Sequence, residues 1–129
     1  MAIDTAKTAE LREYVCQTLS SIGVSEKELA AFSFHAECNR MGSFMGIFVF
    51  HDGNSYCIRE MGWRESECCT YFFQEKEEVL AMLINCIASR RRKNGKRNVE
   101  IALALASELG PDVVTAVQNF WDEYQRQYE

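Results

Sequence analysis

The densest concentration of one chemistry in the chain is Arg90-Arg91-Arg92-Lys93-Asn94-Gly95-Lys96-Arg97, which holds six of the 14 Lys and Arg residues in eight positions and no acid. Such a cluster can neutralise phosphates, and a nucleic acid would use Arg90, Arg91, Arg92, Lys93, Lys96 and Arg97 for that purpose. A strand-gripping surface ordinarily adds further bases and stacking aromatics, whereas the flanking segments here are acidic or apolar. The competing reading is a solvated helix end, because arginines in a last turn suit the helix dipole and an Asn-Gly step resembles a helix stop. Without the cluster, eight Lys or Arg stand against 19 Asp or Glu. The chain is an acidic body with one basic knot, and which sign faces a partner is the first functional question.

Other reactive residue types form weaker patterns. His35-Ala36-Glu37-Cys38 offers two metal ligands but no matching half site elsewhere, and His35 reads first as a residue on the polar face of a strand. His51-Asp52 pairs a base with an acid, but Asp52-Gly53 is hairpin chemistry and adjacency in a turn is not the geometry that nucleophilic catalysis requires. A Cys-His pairing depends on proximity in the fold, and no glycine-rich phosphate loop or metalloprotease motif is present. The six cysteines, Cys16, Cys38, Cys57, Cys68, Cys69 and Cys86, mostly fall within apolar patterns and read as free thiols. These residues predict neither an enzyme nor a bound cofactor or metal.

The elements that must position these residues follow from periodicity. Residues 4–22 predict a helix, since Leu11, Val15, Leu19 and Ile22 recur at helical spacing and Gly23 ends the run. Ser25-Glu26-Lys27-Glu28 is a capping box for a short second helix. From Phe32 the period becomes two, with Phe32, Phe34 and Ala36 on one face of a strand. Phe44 to Phe50, Tyr56 to Arg59 and Cys68 to Phe73 predict three more strands, with turns at His51-Asp52-Gly53-Asn54 and Met61-Gly62-Trp63. Sequential strands with short links predict a four-stranded antiparallel meander.

Three helices complete the expected α+β fold. The first carries Val79, Leu80, Leu83, Cys86 and Ile87 as one stripe, with Glu75, Glu77 and Glu78 at its start. The second is capped by Asn98 and apolar around most of its circumference at Val99, Ile101, Leu103, Leu105 and Leu109. The third begins at Pro111 and places Val113, Val114, Val117, Phe120, Trp121, Tyr124 and Tyr128 at helical spacing.

With 129 residues, 47% hydrophobic and only one proline, the chain has the composition of a packed globule rather than a disordered tail, and one domain over 1–129 is expected. No apolar run reaches the roughly 20 residues a membrane span needs. Met1-Ala2-Ile3-Asp4-Thr5-Ala6-Lys7 has neither the charged start nor the apolar centre of a secretory signal, which predicts a cytoplasmic location. Trp63, in Arg59-Glu60-Met61-Gly62-Trp63-Arg64-Glu65, has the composition of an interface anchor or of a ring folded over a sheet edge.

The order of an N-terminal helix, a strand pair, Tyr56-Cys57-Ile58-Arg59-Glu60-Met61-Gly62, a strand ending near Thr70 and a helix ending in arginines resembles the small immunity proteins of bacterial polymorphic toxin and contact-dependent growth inhibition systems. The resemblance covers roughly residues 44–127. In the subgroup most resembled, an acidic, a basic and a glycine residue stand together, whereas here Met61 separates Glu60 from Gly62. What the resemblance implies is a cytoplasmic, non-enzymatic protein that binds a cognate toxin domain and blocks its active site or its access to substrate.

Many cytotoxic domains must be basic to hold nucleic acid, so an acidic inhibitor would compete for the same surface. Candidate partner-binding residues are Glu60, Trp63, Glu75, Glu77, Glu78, Asp112, Asp122 and Glu123, although Glu77-Glu78 and Asp122-Glu123 also read as solvated helix faces. The alternatives are a nucleic-acid-binding or regulatory module using residues 90–97, and an acidic secretion chaperone that would engage an unfolded segment.

Overall fold

The computed structural model describes residues 3–35, 46–61, 69–92 and 97–127. Trp63, Lys93 and Lys96, together with Cys38 and the turn after Met61, lie outside the described residues. The chain is α+β and divides into two compact units, Met1–Gln74 and Glu75–Glu129.

The first unit opens with α1 (Thr5–Ser21). Asp4 caps it by accepting the Lys7 amide at 3.0 Å, and Leu11, Val15 and Leu19 form its buried stripe as their spacing requires. The helix ends in two reversed bonds, Gly23 N–H to the Ser20 carbonyl and Val24 N–H to the Leu19 carbonyl, both at 3.1 Å. That arrangement needs a left-handed residue, which Gly23 supplies at φ 88°. The expected capping box starts α2 (Glu26–Leu29): the Glu28 amide donates to Ser25 Oγ, and the Ser25 amide donates to Glu28 Oε1 at 3.0 Å.

The strands are β1 (Phe32–Ser33), β2 (Gly46–His51), β3 (Tyr56–Met61) and β4 (Cys69–Phe73), and they form one sheet in that order. The all-antiparallel meander read from the sequence is corrected at its first step, because β1 runs parallel to β2 with Phe32 opposite Ile47. The link over 34–45 is long enough for the crossover that a parallel pair requires, and β1 is correspondingly shorter than the Phe32–Ala36 alternation suggests. The other two pairings are antiparallel. Between β2 and β3, Asp52 Oδ1 accepts the Asn54 and Ser55 amides at 2.8 Å each, and Gly53 adopts φ 99°.

Register decides where the backbone groups of the sheet point. The His51 amide donates to Thr8 Oγ1 at 3.0 Å and its carbonyl accepts the Asp4 amide at 2.7 Å, so both face away from β3. Antiparallel alternation then turns Cys57 and Arg59 toward β2, and Tyr56, Ile58 and Glu60 toward β4. Their partners Phe73, Tyr71 and Cys69 point inward in turn. Thr70 and Phe72 are left with N–H and C=O groups directed out of the sheet.

The second unit consists of α3 (Lys76–Arg91), α4 (Asn98–Ser107) and α5 (Pro111–Gln127), each in contact with the other two. The single stripe expected on α3 is too narrow: Val79 to Asn85 are all buried, as are Ile87 and Ala88, while Cys86 is only half-buried. On α4 the expectation is too broad, since Ala102, Leu105 and Ala106 are buried and Val99, Ile101, Leu103 and Leu109 are half-buried. Its N-cap is Arg97 rather than Asn98, which is the first helical residue and whose buried Oδ1 has no hydrogen-bond donor among the described residues. Pro111 opens α5 as its missing amide permits. The buried amide of Asn85 joins α3 to α5: Oδ1 accepts the Trp121 indole N–H, and Nδ2 donates to the Ala81 carbonyl at 2.9 Å.

Candidate functional site

The carboxylates proposed as partner-binding residues fall into two sets. In the second unit, Glu75 is exposed and precedes α3, and its amide donates to Glu78 Oε1 at 3.0 Å. Glu77 and Glu78 are half-buried in the first turn, where negative charge suits the helix dipole. Glu78 is therefore partly committed to holding the helix start. Asp112, Asp122 and Glu123 are exposed on α5. Ten residues separate Asp112 from Asp122, a rise of about 15 Å along the axis, so these side chains form a dispersed acidic face rather than one focused site.

Glu60 differs from all of these. It lies on β3 with Ile47 directly opposite on one side and Cys69 on the other, sharing a sheet face with Ile58 and Tyr71. It is half-buried and its carboxylate makes no hydrogen bond or ion pair among the described residues, and burial alone pushes its carboxyl above the usual carboxylate range. Beside it, β4 carries no charged residue and has a strand neighbour on one side only, among the described residues. Phe72 is 57% and Tyr71 37% exposed, on opposite faces of this edge strand. Sequence reasoning named Glu60 but missed Phe72, because Cys-Thr-Tyr-Phe-Phe has the composition of a covered strand.

The basic cluster sits between two helices. Arg90 and Arg91 close α3, Arg92 is its C-cap, and Arg97 is the N-cap of α4. Arg97 Nε lies 3.5 Å from Glu100 Oε1, with the two side chains 78% and 55% exposed, a surface pair of little energetic weight. Arg90 and Arg92 are also exposed.

His51, Asp52 and Cys57 are held in structural roles. His51 is buried, its Nδ1 accepts the Gly53 amide at 2.9 Å, and its ring meets Tyr56 edge-on at 4.9 Å. The amides of Asn54 and Ser55 hold the Asp52 carboxyl below its usual range. Burial, with the nearby Asp52 charge, pushes the Cys57 thiol up to about 11, so it is protonated at neutral pH. His35 is exposed beyond β1 and meets Phe48 edge-on at 5.4 Å. No three His, Cys, Asp or Glu side chains converge on a possible metal position among the described residues. No described helix is long and apolar enough to cross a membrane. No family model, curated protein or solved structure shows detectable similarity to the chain.

Proposed function

We propose that this chain is a cytoplasmic, non-enzymatic immunity protein of a bacterial toxin system, which binds its cognate toxin domain through an acidic surface and neutralises it. The observation that carries the reading is charge segregation. Eight Lys or Arg stand against 19 Asp or Glu once residues 90–97 are set aside, and Glu75, Asp112, Asp122 and Glu123 are exposed. Such a surface attracts a basic nuclease-like domain over distances of about a Debye length and competes with its substrate. The order of elements that resembles small immunity proteins adds a second, independent support.

Co-expression with the product of the adjacent gene tests the proposal directly. A stable complex and protection from growth arrest are expected, and neither complex nor protection overturns the reading.

A second reading has its own observation: Arg90, Arg92 and Arg97 are exposed at the neighbouring ends of two helices. If that patch binds nucleic acid, replacing Arg90, Arg91 and Arg92 by Gln weakens binding and reduces the slope of log K against log salt concentration by about 0.9 per lost phosphate contact. Absence of binding by the unsubstituted chain ends this alternative.

A further inference from the structure

Among the described residues, β4 has an open edge and the Glu60 carboxylate has no partner; the two features are adjacent, and register relates them. Thr70 and Phe72 direct their backbone donors and acceptors away from β3, the pattern that an added strand completes. The side chains of β4 offer no charge, proline or bulge against such pairing: the strand is Cys69-Thr70-Tyr71-Phe72-Phe73. Phe72 is 57% exposed and would be covered by a neighbouring apolar side chain on its own face.

Glu60 selects among the possible occupants. It lies directly across from Cys69, which is exposed and small. A residue of an added strand that faces Cys69 therefore stands two strand spacings from Glu60, about 10 Å between backbones. A Lys or Arg at that position can extend its stem over Cys69 and bring its cation to the Glu60 carboxylate, the two side chains spanning the gap together.

A second copy of this chain cannot supply that charge from β4, which contains no basic residue. Pairing β4 with itself would cover the edge and leave Glu60 further from water without a counter-charge, an unfavourable arrangement.

We propose that β4 is the docking edge for an extended segment of a partner protein, which adds a strand along Thr70 and Phe72 and places a Lys or Arg opposite Cys69 to pair with Glu60. The proposal deepens the partner-binding reading and rests on it only for the existence of a protein partner. The occupant is defined by alternation: basic toward Cys69, apolar toward Phe72.

The test uses the full chain and a display library of extended peptides about ten residues long, so that it proceeds without any toxin. Peptides enriched on the wild-type chain are expected to carry one Lys or Arg flanked by apolar or β-branched residues. Phe72→Glu removes the apolar cover and Phe72→Pro removes an outward N–H that β3 does not use; each is expected to weaken peptide binding about tenfold or more. Circular dichroism and the thermal midpoint establish that both variants are folded. Changing the peptide's Lys to Gln is expected to weaken binding to wild type about tenfold and to leave binding to Glu60→Gln nearly unchanged.

Enrichment without a basic residue, equal binding by the Phe72 variants, or no enrichment over Phe72→Glu overturns the proposal. A concentration-dependent dimer that Phe72→Glu dissolves overturns it in favour of a second copy. Success of this selection with failed toxin protection leaves the edge intact and rejects the toxin, while the reverse rejects the edge alone.

Discussion

Two carboxylates a few residues apart carry opposite consequences for stability. Asp52 accepts two turn amides and is held below its ordinary 3.8, so its contribution is present above that value and is lost as pH falls through the lower folded one. Glu60 is raised above its ordinary 4.5 by burial, so the group favours the folded state fully below 4.5 and loses that contribution as pH rises through the folded value. In urea titrations across pH, Glu60→Gln is therefore expected to be more stable than wild type near neutrality, with the difference vanishing in acid. Asp52→Ala is expected to be less stable near neutrality, with its deficit shrinking below pH 3.8. Thiol chemistry separates along the same lines of exposure. Of Cys16, Cys57, Cys69 and Cys86, a maleimide at neutral pH is expected to modify exposed Cys69 first and buried Cys57 last, as read by mass spectrometry of digests.

At the scale of elements, two polar ties do work that apolar burial does not specify. Thr8 is buried in α1, and its hydroxyl is the acceptor for the His51 amide. Thr8→Val keeps the shape but orphans that N–H, and is expected to cost about 1–3 kcal/mol in denaturant unfolding, with Thr8→Ser recovering most of it. The Asn85–Trp121 bond has the same character between α3 and α5, so Trp121→Phe is expected to cost about 1–3 kcal/mol through the stranded amide oxygen. Local signals made several elements legible in the sequence. Gly23, the Ser25–Glu28 box, the Asp52-Gly53 turn and Pro111 each encode a backbone geometry within four residues. The parallel β1–β2 pair was illegible because strand direction depends on how the intervening chain returns, which the Phe32 alternation does not encode. Asn98 has a preferred capping side chain, yet the cap falls one residue earlier, at Arg97, and Asn98 is already helical.

For the molecule as a whole, composition revealed the acidic character, but the distribution of that charge required the fold. Glu75, Asp112, Asp122 and Glu123 reach solvent, whereas Glu60 is half-buried beside an apolar edge that looked internal in the sequence. Its isolation is a product of strand register, which brings Ile47 and Cys69 rather than a base to its sides. A dispersed acidic face acts mainly on encounter, so the association rate with a basic toxin domain is expected to fall about tenfold or more from low salt to ~0.5 M in stopped-flow measurements. The dissociation rate is expected to change much less.

The tie between Thr8 and His51 joins residues 43 positions apart, and that separation has a consequence during synthesis. At about 5–20 residues per second, a ribosome needs roughly two to nine seconds to progress from one partner to the other. Once Leu19 has been added, the apolar stripe of Leu11, Val15 and Leu19 exists for the rest of that interval without the strand that α1 packs on. Until β2 is made, that stripe cannot bury itself as it does in the folded chain.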